Sequence, residues 1–263
     1  MKFQPFRKSW WQWVAIGALC VVLVILGFHM TGREPVADAD LLIEKFRITT
    51  FSVDFGARKY RLASKVKKWN GEIRITLIDP EPWQNLFVSQ LAVELSKLTK
   101  LKVIYLPESG EIKRANVTVR FMDRGDIKEY LVSRNKPEAI AEQISKLICS
   151  GTASNRLSEI FKADIIVPDG LESSTAKRCF IEEITQSLGL YADSELVVPS
   201  IFSNLQLGLD YLPLNDKILI RTLYDPRIKP GMSREATMEI ARELIPKLVQ
   251  DVRWRGVEAL YQR

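Results

Sequence analysis

The stretch FIEEITQSLGL, residues 180–190, decides how this chain is read. Set at ~100° per residue, the turn of an α-helix, Glu182, Glu183 and Gln186 fall within about 100° of arc. Phe180, Ile181, Ile184 and Leu188 gather on the opposite side. This is the pattern of an amphipathic helix, apolar toward a core and polar toward water. A polar face carrying two adjacent carboxylates also raises the question of chemistry.

Working outward from that helix, the chain alternates types of element. EIRITLID (72–79) reads as a strand, with Ile73, Ile75 and Leu77 on one side. Val88, Leu91, Ala92, Leu95 and Leu98 follow helical spacing, with Pro82 near the start. LKVIYL (101–106) and ANVTVRFM (115–122) read as strands, and Pro137 opens a helix that ends near Cys149. ADIIVP (163–168) is a short apolar strand ahead of the Glu183 helix, and a short helix is predicted over Asn215 to Tyr224. A last helix starts at Ser233 as N-cap and is kinked or ended by Pro246. Trp254, Val257, Leu260 and Tyr261 share one helical face near the C-terminus. The fold class predicted is α+β with a mixed sheet and a helical C-terminal part.

Of the 263 residues, 46% are hydrophobic, enough for a sizeable core. The net charge is +6; Lys2, Arg7 and Lys8 account for three of it, leaving only +3 over the rest. That excess is small and dispersed, and no nucleic-acid-binding signature accompanies it. No nucleic acid partner is expected. Ser9 to Gly32 holds no charged side chain, and residues 13–30 would span roughly 27 Å as a helix, close to a bilayer's hydrocarbon core. Trp10, Trp11 and Trp13 sit at one end of it, with the basic residues before them. The predicted arrangement is a cytoplasmic tail (1–12), a transmembrane helix (13–30), a linker and N-terminal extension (31–68), and an exported domain (69–263). Cys20 lies in the span; Cys149 and Cys179 form an even pair in the exported part. Oxidising surroundings permit a disulfide there, and two buried free thiols are the alternative.

The opening helix has the spacing of a zinc-peptidase helix without its histidines. In His-Glu-x-x-His-x-Leu-Gly-Leu the histidines would stand at Glu182 and Gln186, while the central glutamate persists as Glu183. Zincins of the metzincin type continue with a third ligand, a Ser-Ile-Met turn, and a helix bearing an Asp and a Leu-Tyr pair. Here Ala192 (beside Asp193), Ser200-Ile201-Phe202, Asp216 and Leu223-Tyr224 follow in that order. CFIEEITQSLGL, DSELVVPSIFSN and ILIRTLYDPRIKPGM, with KKWNGEIRITLID and ANVTVRFM upstream, resemble the bacterial domain-of-unknown-function family 2927 over roughly residues 40–250. The resemblance implies an exported, zincin-like α+β domain with the cysteine pair bridged, and it implies no established activity. Ala192 departs from a position that is more often polar in the family.

The chemistry the residues allow is narrow. A catalytic zinc needs three protein ligands and an open position. The single histidine, His29, lies in the apolar span, and an amide (Gln186) and an alanine (Ala192) are no substitutes. No metal and no cofactor are therefore expected. Glu182, Glu183 and Asp193 are all oxygen donors, but nothing around them resembles a calcium loop. Serine or cysteine nucleophiles lack a histidine partner, and no phosphate-cradling glycine loop occurs. Carboxylate catalysis reduces to Glu183 with Asp193 or Asp216.

Two roles remain for the polar helix. Glu183, Thr185 and Gln186 are expected to form a buried network with Tyr224 or Arg227, so that Glu183→Gln lowers stability. Alternatively the cleft around Glu182, Glu183 and Asp193 binds a peptide or glycan, or cuts it through Glu183. The expected function is that of an inner-membrane-anchored, periplasmic component with an envelope protein partner; the alternative is a carboxylate-dependent hydrolase.

Overall fold

The computed structural model describes residues 34–262 apart from 55–59, 108 and 206–207. The expected span at 13–30 and the tail before it lie outside the described residues. Among the described residues no helix is long and apolar enough to cross a membrane. Val36–Arg263 forms one compact unit.

The unit starts with α1 (Ala39–Phe51), whose Leu42 and Phe46 are buried, so part of the expected linker and extension contributes to the core. A two-stranded antiparallel ribbon follows, β1 (Ser52–Asp54) with β2 (Tyr60–Leu62). β3 (Ile73–Ile78) then places Ile73, Ile75 and Leu77 in the core, as its alternation predicts. α2 (Pro82–Thr99) begins with proline at its first position, where a missing N–H costs nothing. The Gln84 side-chain oxygen reaches back to accept from the Glu81 N–H at 2.8 Å. Lys100 closes this helix in the left-handed conformation, φ 61°.

β4 (Val103–Tyr105), a 3₁₀ turn (Ser109–Arg114) and β5 (Val117–Met122) come next. Two short helices, α3 (Ile127–Ser133) and α4 (Glu138–Ile144), precede the hairpin of β6 (Ser150–Arg156) and β7 (Glu159–Pro168). The sheet order is β4-β3-β5-β7-β6, with β6 antiparallel to β7 and every other pair parallel. This is a mixed five-stranded sheet, and the domain is α+β.

The hairpin extends the single short strand expected at 163–168. Its connection places Leu157 (φ 51°) and Ser158 (φ 71°) in the left-handed region, the geometry of a tight primed turn. Neither residue type advertises such a turn. β6 itself, SGTASNR, has no apolar alternation because it is a sheet edge with mostly exposed side chains.

The helical part is α5 (Ser173–Gln186), α6 (Leu214–Leu223), α7 (Arg234–Arg255) and α8 (Glu258–Tyr261), making eight α-helices among the described residues. Phe180 of α5 is fully buried, its ring 5.7 Å edge-on from Phe121 of β5. Ser233 caps α7 as expected, accepting from the Ala236 N–H at 3.2 Å. Pro246 does not end that helix, which continues to Arg255. Ala241 and Ile245 before the proline and Leu248, Val249 and Val252 after it are all buried, and this packing holds both sides. The C-terminal face expected from Trp254 to Tyr261 is broken at Gly256 (φ 74°). Leu260 is buried while Trp254 remains 77% exposed, so Trp254 is not part of that docked face.

Candidate functional site

α5 runs from the end of β7 into the core with Phe180, Ile181 and Ile184 buried. Midway along it, Cys179 is bridged by a disulfide to Cys149, directly before β6. A disulfide points to an extracytoplasmic domain, because reducing compartments keep thiols free. One helical turn after Cys179 stands Glu183, only 7% exposed, with the Gly151 N–H of β6 donating to its carboxyl. A Cβ at residue 151 would sit 2.6 Å from Glu183 Oε2, so any larger residue there obliges the Glu183 carboxyl to shift.

Burial is the main influence on both glutamates. It pushes the Glu183 carboxyl up to about 8, with Glu182 and Asp193 adding repulsion and the Gly151 N–H opposing. Glu182 is pushed up to about 7, first by burial, against the attraction of Arg178. The Arg178 Nε lies 3.4 Å from Glu182 Oε2, one helical turn away.

From Ser187 to Pro213 the described chain has no helix and no strand, yet much of it is buried. Buried backbone groups outside regular structure need partners, and side chains supply them here. The Trp69 indole N–H donates to the Ser187 carbonyl at 2.9 Å, and the Tyr224 hydroxyl donates to the Leu188 carbonyl at 2.9 Å. Lys45, wholly buried on α1, donates to the Ser194 and Val197 carbonyls at 2.5 and 3.4 Å. Asn215 donates to the Pro199 carbonyl at 2.9 Å, and Arg178 to those of Ile201 and Ser203 at 3.3 and 3.1 Å.

Asp216 serves the opposite polarity. It accepts from the Ser200 hydroxyl at 2.7 Å and from the Ile201 N–H at 2.6 Å, fixing the Ser200-Ile201-Phe202 turn on α6. Burial lowers the Lys45 ammonium, while the carboxylates of Asp216, Glu195 and Asp193 oppose that. Lys68, also buried, donates to the Leu223 and Ile228 carbonyls at 2.7 and 3.1 Å and stands 4.5 Å over the Tyr224 ring. Burial pushes its ammonium down to about 8.

The residues expected in one polar network fall into separate sets. Gln186 donates to Asp193 at 3.0 Å, and Asn204 donates to the other Asp193 oxygen at 3.3 Å. The Thr185 hydroxyl is buried without a hydrogen-bond partner among the described residues. Tyr224 lies between the Leu188 carbonyl and the Trp69 N–H. Arg227 is half-exposed and pairs with Asp225 and Glu243 at 2.9 and 3.0 Å, outside the cluster. Ala192 is fully buried, its N–H 3.3 Å from the Thr49 carbonyl of α1.

Lys45, Lys68, Arg178, Trp69 and Gly151 were not singled out from sequence. Lys45 did carry a signal, since it shares the helical stripe of Leu42, Phe46 and Thr49. Among the described residues no group of three or more His, Cys, Asp or Glu side chains is placed to hold a metal ion.

Fold and site define an α+β domain in which a buried carboxylate helix leads into a long segment pinned by side chains. Residues 39–243 match the family described as protein of unknown function (DUF2927), and the chain belongs to that family. No curated protein and no solved structure matches the chain.

Proposed function

We propose that this protein is a zincin-like scaffold without peptidase chemistry, anchored in the bacterial inner membrane by residues 13–30. Its periplasmic domain acts as a binding or assembly component of a cell-envelope complex. One observation carries the reading: the three positions that would hold a catalytic metal are engaged inside the protein. Glu182 is paired with Arg178, Gln186 with Asp193, and Ala192 is buried against α1. The marks that follow a zincin helix still have structural counterparts here. Gly189 makes the turn at φ 117°, Asp216 fastens the Ser200–Ile201 turn, and Tyr224 fastens Leu188. A frame maintained while its ligand positions serve internal contacts suits recognition rather than cleavage. The basic residues before the apolar segment and the disulfide agree with the orientation.

The test is purification of the full-length protein from its native membrane in mild detergent, with mass spectrometry of what accompanies it. A control carries an unrelated membrane segment in place of 13–30. A stoichiometric envelope protein retained by both is the expected result; no partner in either removes the assembly role.

A second reading rests on the raised Glu183 carboxyl, since a group near 8 holds its proton at neutral pH as a general acid must. In that case the full-length protein releases soluble fragments from isolated cell wall. Glu183→Gln would abolish this release without loss of folding.

A further inference from the structure

The face of the β6–β7 hairpin turned away from Glu183 carries a second site. Along β6, Gly151 and Ala153 face α5 and the main core, so Ser150, Thr152 and Ser154 point the other way. There, with β7 and the α3–α4 pair, they line a cavity of about 320 Å³. Sites for small molecules run from roughly 300 to 1,000 Å³.

The lining has a definite chemistry. Arg134 and Lys136, from the turn joining α3 to α4, both line it. Neither forms an ion pair among the described residues. The Ser150 and Ser154 hydroxyls also have no protein partner among the described residues. Asp164 supplies the one carboxylate and is held by Lys162 at 3.1 Å. Leu131 and Ile166, from the small apolar cluster under α3 and α4, provide the non-polar part of the lining.

Two cations without partners select an anion. A row of hydroxyls beside an acceptor-only carboxylate selects a ligand that brings its own hydroxyl donors. Sulfate satisfies the first demand and not the second. We propose that this cavity binds a small anionic sugar of the uronate type. Arg134 and Lys136 take the carboxylate, Asp164 and the β6 hydroxyls take the ring hydroxyls, and Leu131 and Ile166 pack on its C–H face. This assignment goes beyond the envelope role and does not depend on the reading of α5.

Calorimetric titration of the full-length protein in detergent tests it, with glucuronate, glucose and sulfate as probes. Glucuronate is expected to bind saturably, with glucose and sulfate each weaker by about tenfold or more. The double substitution Arg134→Gln, Lys136→Gln should weaken glucuronate at least about tenfold while the melting temperature stays put. Thr152→Val should weaken both sugars and leave sulfate unchanged. Failure of glucuronate to bind at about 10 mM overturns the proposal. So does sulfate binding as tightly as glucuronate, or glucuronate binding that survives the double substitution.

Discussion

The central sheet and the segment from Ser187 to Pro213 meet the same demand in opposite ways. In the sheet, backbone groups pair with backbone groups of neighbouring strands, so side chains such as Ile75, Val119 and Ile165 need only be apolar and correctly alternated. In the segment after α5 no strand or helix answers the buried carbonyls, and Lys45, Arg178, Trp69, Asn215 and Tyr224 reach in from other elements. The first arrangement tolerates exchange of one apolar residue for another. The second depends on individual atoms, because each lost donor leaves a buried acceptor without a partner.

This contrast can be broken most severely at Gly189. Its φ is 117°, and a Cβ there would stand 2.2 Å from the Lys67 carbonyl oxygen, a backbone atom that cannot swing aside. Gly189→Ala is expected to destabilise by on the order of 5 kcal/mol or more. A normal denaturant midpoint for this variant would show that the segment yields as easily as a surface loop.

Next in size is the pH dependence set by Glu183. Well below 4.5 its carboxyl is protonated in folded and unfolded chains alike, and this group costs the native state nothing. As pH rises, the unfolded chain releases the proton first, so stability falls until the folded group itself ionises near 8. That fall is on the order of 4 kcal/mol, and Glu182, raised to about 7, acts in the same direction. Glu183→Gln retains an oxygen for the Gly151 N–H and cannot ionise. It should melt close to wild type at pH 5 and above it at pH 9. This expected gain is opposite in sign to the loss of stability that the sequence reading attaches to the substitution. Melting curves at both pH values check it, and equal slopes for the two proteins would place an ionised carboxylate in the native state.

Asp216→Ala comes third, at about 3 kcal/mol. It removes the acceptor for Ser200 and Ile201 and a carboxylate that favours the charged form of Lys45. Hydrogen exchange should then quicken at the Ile201 amide while amides of β5 stay protected. Smallest is Arg227→Ala, about 1 kcal/mol, since Arg227 is 44% exposed, its Glu243 partner lies at the surface, and the buried Asp225 keeps the residue-227 N–H as a donor. A larger loss in urea melts would tie Arg227 to the cluster after all.

The legible parts of this protein were those in which a single element carries its own pattern. The alternation of Ile73, Ile75 and Leu77, the stripe from Val88 to Leu98 and the Ser233 cap all correspond to what formed. β6 was not legible, because SGTASNR lies at a sheet edge and takes its register from β7 rather than from an apolar face of its own. Lys45 and Lys68 were not legible either. A lysine is ordinarily read as solvent-exposed, and only the carbonyls brought in from distant segments make burial tolerable.

At the candidate site the division is the same. The sequence by itself determined an amphipathic helix bearing Glu182, Glu183 and Gln186, and a cysteine pair able to bridge. Local spacing and residue chemistry suffice for those. Only the tertiary structure decided that Glu183 would be buried against Gly151, that Gln186 would bond Asp193, and that Tyr224 and Arg227 would serve elsewhere. Such pairings join residues remote in sequence, and their strength comes from the exclusion of water that the assembled core provides.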